Sequence, residues 1–239
     1  MRRYPTSTDV AARPARRTTE REQPISTHTE DLELPLRPLR QRIADSVRAG
    51  VGPVIRMLVR LGVGPNALTL IGFAGAIATC VLVVQRHWLA AGFVFAIASI
   101  MDLLDGSVAR LSGKVSEFGA FLDSTLDRTA EGLVLGAIGV TLARDGHWWA
   151  LGACFLALTA SFLVSYTRAR AEGLGLDSNR GGLMSRPERI VLTAAGIFFA
   201  PIDHVTVVVV YVLAVLTVLT VAQRVVYVWR ALRHSNAVH

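Results

Sequence analysis

MDLLDGSVARLSGKVSEFGAFLDSTLDR, residues 101–128, sets four aspartates, Asp102, Asp105, Asp123 and Asp127, into otherwise apolar sequence. Asp102 and Asp105 are three apart, and Asp123 and Asp127 four apart, so each pair lies on one helical face. The loop at 111–116 is too short for anything but an antiparallel helix pair, which brings both pairs to the same end. The stretch reads as two neighbouring helices that converge four carboxylates at one membrane boundary.

Apolar windows of about 20 residues, enough to cross a hydrocarbon core, recur on both sides of it. Of 239 residues, 52% are hydrophobic and 18% charged, and the mean hydropathy is +0.45, which excludes an ordinary soluble domain. Six spanning segments are expected, at about 66–85, 88–111, 117–142, 147–170, 187–202 and 205–230. The fold class is therefore all-α integral membrane, with six transmembrane helices preceded by an interfacial amphipathic helix. Its parts are a disordered cytoplasmic tail (1–36), an interfacial juxtamembrane helix (37–62), the six-helix domain (63–233) and a C-terminal tail (234–239). In 37–62, Ile43, Val47, Val51, Val54, Ile55, Leu58 and Val59 recur at helical spacing between arginines, with a break near Gly50 to Pro53.

The net charge of +7 arises in the tail and beside the ends of the apolar segments. That placement marks cytoplasmic flanks of membrane helices and argues against nucleic-acid binding. The short connections at 86–87, 144–147 and 203–204 hold only Arg86 and Arg144, so both termini, and the aspartates with them, are expected on the cytoplasmic side of the cell membrane. His87, His147 and His204, beside Trp88, Trp148 and Trp149, read as an outer interfacial belt rather than a metal site. Cys80 and Cys154 lie in apolar runs with no metal or redox spacing and read as small core residues.

An ionised aspartate in hydrocarbon costs several kcal/mol, and four together repel one another, so the cluster calls for a divalent cation. All-oxygen ligation favours Mg²⁺ or Mn²⁺, with Ca²⁺ a further candidate. The competing reading makes the aspartates helix caps or partners of Arg110 and Arg128; intramembrane carboxylates are functional by default, which favours the metal. Gly106 and Gly119, read as standing away from chain turns, each require the close approach of a helix or a ligand.

Asp102, Asp105, Gly106, Ala109, Arg110, Gly119, Asp123 and Asp127 fit the pattern D-x2-D-G-x2-A-R-x8-G-x3-D-x3-D without a departure. This resembles the signature of the CDP-alcohol phosphatidyltransferases, and eight fixed residues coincide by chance with a probability of order 10⁻¹⁰ per start position. The resemblance implies a CDP-diacylglycerol-type donor, two Mg²⁺ or Mn²⁺ ions held by the four aspartates, Asp127 as general base, and a homodimer. It also implies that Gly106, Ala109 and Gly119 leave room for the cytidine nucleotide and that Arg110 meets a phosphate or buttresses an aspartate. Asn66 and Thr69, in PNALT, resemble a further family element near the nucleotide; Asn66 as a helix N-cap is the alternative.

SYTRARAEGLGLDSNRGGLMSRPERIVL, residues 165–192, supplies Arg168, Arg170, Arg186 and Arg189 at the same membrane face, a set suited to a phosphorylated acceptor. Ordinary positive-inside residues or contacts to lipid headgroups are the alternative, and Ser185 to Glu188 fits a capping box. SYTRARAE and RPER resemble the corresponding elements of phosphatidylinositol phosphate synthases and their archaeal counterparts, implying inositol 1-phosphate as acceptor. Glycerol 3-phosphate is the second choice, and a cation-coupled transporter the reading of another class.

Overall fold

A computed structural model describes residues 52–176 and 182–236, excluding the side chains of 234–236. The expected tail at 1–36, most of the juxtamembrane helix and the residues at 177–181 lie outside that description. The described residues form helices joined by short connections, with no strand among them. They are α1 (52–60), α2 (Pro65–Val84), α3 (Trp88–Ser112), α4 (Glu117–Arg144), α5 (Trp148–Glu172), α6 (Arg186–Phe198) and α7 (Val205–Asn236).

Local chemistry sets the boundaries that matter for the aspartates. Helix α3 stops where Gly113 turns left-handed at φ 67°, a conformation that glycine adopts without a Cβ clash. Three residues later the Ser116 hydroxyl accepts the Gly119 N–H at 3.0 Å and opens α4. Gly119 thus sits in the first turn of α4, contrary to its reading as remote from a turn. Helix α2 begins with Pro65 after an extended Gly64, so Asn66 is inside the helix and is not its N-cap. The Ser185–Glu188 capping box that opens α6 is present as expected.

Four helices, α2, α3, α5 and α7, are long and apolar enough to cross a membrane, which makes this an all-α, multi-pass membrane protein. Helix α4 has 28 residues but carries charges along its first half. Helix α6 differs from the expected segment at 187–202: it has 13 residues and ends at Phe198. At about 1.5 Å per residue it falls well short of a hydrocarbon core.

Helix α2 packs against α3 and α4, α5 against α4 and α7, and α6 against α3 and α7. The buried seams are rich in alanine, including Ala76, Ala91, Ala98, Ala150, Ala153 and Ala157. Small side chains let backbones approach where lipid supplies no hydrophobic drive for association; a Cβ on Gly75, for example, would stand 2.7 Å from the Ala98 Cβ. Several buried hydroxyls are satisfied within their own helices: Thr79 donates to the Gly75 carbonyl at 2.9 Å and Thr141 to that of Ala137 at 2.8 Å. Large side chains such as Ile71, Phe93, Ile97, Phe155 and Val191 face outward, as lipid contact requires. Cys80 and Cys154 are free thiols.

The C-terminal ends of α3 and α5 and the N-terminal ends of α2, α4 and α6 meet at one end of the bundle, the end that carries the aspartates. At the opposite end Arg86 pairs with Asp145, and the rings of His147 and His204 meet edge to face at 5.7 Å.

Candidate active site: a carboxylate cluster between two cavities

Each of Asp102, Asp123 and Asp127 offers a carboxylate oxygen, and the three lie within 4.8 Å of one another. The antiparallel turn between α3 and α4 and the three- and four-residue spacings are sufficient to produce this triangle. Asp105 lies beside it, within the field of both Asp102 and Asp123. One of its oxygens accepts the Thr69 hydroxyl at 2.7 Å and the other the Gly106 N–H. Asp105 and Asp127 are each only 7% exposed, so their charges are held largely out of water.

The positive charge closest to the triangle is Arg186, from the first residue of α6. Its guanidinium bonds Asp102 at 2.7 Å and also pairs with Asp127. Arg128 is weaker, 3.6 Å from Asp127, and is shared with the Ser124 carbonyl and the Ser165 hydroxyl. Arg110 turns to Ser107 instead of an aspartate. The alternative of aspartates neutralised by arginine therefore holds only in part: Arg186 and, more weakly, Arg128 serve two of four carboxylates, Asp102 and Asp127, and a net negative charge remains. An all-oxygen, incompletely neutralised set at this spacing fits Mg²⁺ or Mn²⁺.

A cavity of about 200 Å³ opens beside Asp105 and Asp123. All six residues expected to meet the donor, Asn66, Thr69, Gly106, Ala109, Arg110 and Gly119, line it, together with Lys114 and Ser116 from the connecting loop. The two glycines differ in what they make room for. A Cβ on Gly119 would meet Ser116 Oγ at 2.9 Å and Asn66 Oδ1 at 3.0 Å, so protein packing accounts for it. A Cβ on Gly106 would meet only Arg110 Nη1, at 3.5 Å, and otherwise enter the cavity.

A second cavity lies on the other side of Asp102, walled by Thr69, Ser99, Asp127, Glu131, Arg186 and Arg189 among others. Of the arginines expected at an acceptor phosphate, Arg189 is 5% exposed and its Nε donates to Glu131 at 2.7 Å. Its Nη1 has no hydrogen-bond partner among the described residues. Arg168 pairs with Glu172 at 3.0 Å on the exposed end of α5. Arg170 is exposed too, and, two positions further on, stands about 200° around the helix from Arg168. Arg186 is the one that reaches the aspartates.

Two residues of this region escaped the sequence reading. Glu131 continues the row of Asp123 and Asp127 by one more turn, a signal that the i, i+4 spacing carries. Arg224, from α7, lies within the fields of Arg168 and Arg189; its Nη1 donates to the Val164 carbonyl at 2.9 Å, and its Nε is buried without a partner among the described residues. A charge inside the long apolar run of 205–230 was the signal for it.

Residues 62–232 match the family model described as CDP-alcohol phosphatidyltransferase. The archaetidylinositol phosphate synthase of Pyrococcus horikoshii is 36% identical over 184 residues, 77% of this chain and 93% of the relative. The phosphatidylinositol phosphate synthase of Streptomyces avermitilis is 36% identical over 195 residues, 77% of this chain and 80% of the relative. Among solved structures, Mycobacterium tuberculosis phosphatidylinositol phosphate synthase with CDP-DAG bound superimposes with a TM-score of 0.67 at 32% identity, covering 74% of this chain and 92% of that one. The same protein in complex with manganese and citrate also gives 0.67, at 32% identity over 74% and 88% of the two chains. The carboxylate geometry and these likenesses lead to one assignment: the chain belongs to the CDP-alcohol phosphatidyltransferase family.

Proposed function

We propose that the protein transfers the phosphatidyl group of CDP-diacylglycerol, or a similar CDP-activated lipid, to inositol 1-phosphate, releasing CMP. In this reading an acceptor hydroxyl oxygen attacks the phosphorus that bears the diacylglycerol. The bond from that phosphorus to the bridging oxygen breaks, CMP leaves with the electron pair, and the hydroxyl proton passes to Asp127. Asp102, Asp105, Asp123 and Asp127 would hold the metal. When bound, it neutralises charge on the diphosphate and on the departing CMP. Thr69 fixes the Asp105 carboxylate, and the cavity lined by Gly106, Ala109 and Arg110 takes the nucleotide.

One observation carries the choice of a phosphorylated acceptor. Arg224 lies within the fields of Arg168 and Arg189, offset in part by Glu172, and Arg189 and Arg224 each have a buried N–H group with no partner among the described residues. Cations so placed repel, and buried donors without acceptors are unfavourable; a phosphate resolves both. Serine, choline or free inositol supplies no such group. Arg186, three residues before Arg189 on α6 and lining the same cavity, would add a further cation. The named relatives in two domains of life support inositol phosphate over glycerol 3-phosphate.

The same reading makes α4 a spanning segment along with the four apolar helices, has α6 complete the sixth crossing only together with the non-helical residues that follow it to 204, and makes residues 37–62 an interfacial helix. Both termini and the aspartates face the cytoplasm across the cell membrane, and the enzyme works as a homodimer. The test is Mg²⁺-dependent CMP release from CDP-diacylglycerol, with inositol 1-phosphate, glycerol 3-phosphate, free inositol and serine offered separately. Release with inositol 1-phosphate alone is expected. Release with glycerol 3-phosphate alone would replace the acceptor, and cation movement without CMP would overturn the enzyme.

A further inference from the structure

Asp127 and Glu131 are one helical turn apart on α4, as are Arg186 and Arg189 on α6, and the two pairs form two rungs between the helices. The upper rung ends in the aspartate cluster. The lower rung, Glu131 with Arg189 at 2.7 Å, contacts none of the four aspartates in the bonds described and is almost entirely buried, at 6% exposure for the arginine side chain and 19% for the glutamate. A buried ion pair holds two helices together poorly compared with packed apolar side chains of the same size. It is poorer still when one guanidinium nitrogen, Nη1 of Arg189, is left without a partner among the described residues.

The arrangement makes sense if the guanidinium is held by one edge to leave the other for a ligand. Glu131 occupies Nε, so the nitrogen without a partner is on the terminal edge. Arg189 also lines the cavity behind Asp102 and Asp127, and its charge reaches Arg224, whose own Nε lacks a partner. We propose that Glu131 is a positioning residue: from α4, beside the cavity that both residues line, it holds Arg189 of α6 by Nε so that the terminal N–H edge is presented to the phosphate of the acceptor alcohol. The inference rests on the phosphorylated-acceptor reading above.

The experiment compares E131A, E131Q and R189K with the wild-type protein in lipid nanodiscs. It measures KM for donor and for acceptor, kcat at saturating acceptor, and calorimetric binding of the phosphorylated alcohol with Mg²⁺ and no donor. In E131A the acceptor KM rises by about tenfold or more with kcat and donor KM little changed, the signature of lost acceptor binding. E131Q, whose amide oxygen still accepts from Nε, recovers part of the loss. R189K keeps the charge without the two-edged fork and behaves like E131A. Calorimetric affinity follows the same order. Equal falls in kcat and donor affinity in E131A, with acceptor KM unchanged, would make Glu131 a structural partner of the cluster and overturn the proposal. If E131A does not fold, E131Q and R189K with wild-type acceptor KM would overturn it too. A wild-type protein that uses glycerol 3-phosphate instead of inositol 1-phosphate refutes only the acceptor choice, and the same KM comparison is then read on glycerol 3-phosphate. Use of unphosphorylated alcohols alone refutes both.

Discussion

Asparagine at position 127 separates the two roles assigned to Asp127. With all four aspartates ionised, they and the Arg186 and Arg128 guanidiniums sum to −2 (four negative, two positive); Asp127→Asn leaves −1. The amide oxygen can still accept from Arg186, which also keeps its 2.7 Å bond to Asp102, so the fold around the cluster is expected to survive. Two losses follow. A weaker field lowers metal affinity, and more Mg²⁺ restores it by mass action. The missing general base is not restored by metal and lowers kcat by about 10²–10⁴, or roughly 2.7–5.5 kcal/mol of barrier. Measuring CMP release across a Mg²⁺ titration tells them apart: the curve for D127N shifts to higher Mg²⁺ and then levels off two to four decades below wild type. Asp102→Asn, which removes a ligand and no base, climbs further as Mg²⁺ is raised. If saturating Mg²⁺ brings D127N to within about tenfold of wild type, Asp127 is only a ligand and the proton leaves by another route.

Gly106→Val places its side chain in the donor cavity, where the Cβ has a single neighbour at 3.5 Å. Overpacking of about 1–3 kcal/mol then arises only with donor bound, so donor KM should rise about 5- to 150-fold with Tm unchanged; a fall in Tm with donor KM unchanged would refute that placement. Thr69→Val removes the 2.7 Å hydrogen bond that orients Asp105. Metal supports of this kind are worth about 10- to 100-fold in affinity, so the Mg²⁺ concentration for half-maximal rate should rise by that factor, and an unchanged value would detach Asp105 from the metal.

Much of this was legible in residues 101–128, because the turn, the cap and the i, i+3 and i, i+4 spacings are local. Gly113 and Ser116 bound the connecting loop, and α3 ends at 112 and α4 runs 117–144, within two residues of the expected 111, 117 and 142. The fifth expected segment ran four residues past the end of α6 because Phe199, Ala200 and Ile202 are apolar whether helical or not. Pro201 was the contrary signal, since proline disfavours helix at the residue before it. What could not be read was who meets whom across the bundle. Arg186 reaches Asp127 from 59 residues away, and its charge alone suited a phosphate, a headgroup or a carboxylate equally. Arg189 required Glu131, 58 residues earlier, to show that one of its edges is taken. Spacing on one helix is a property of the sequence, whereas pairing between helices depends on how α6 lies against α3 and α7.

The lipid product tests the proposed reaction most directly. After incubation with CDP-diacylglycerol, Mg²⁺ and isotopically labelled inositol 1-phosphate, the extracted lipid is examined by mass spectrometry and ³¹P NMR. The proposed transfer predicts a labelled lipid with one phosphodiester and one phosphomonoester phosphorus, formed mole for mole with CMP. CMP accompanied by phosphatidic acid, or by a lipid without the label, would contradict it.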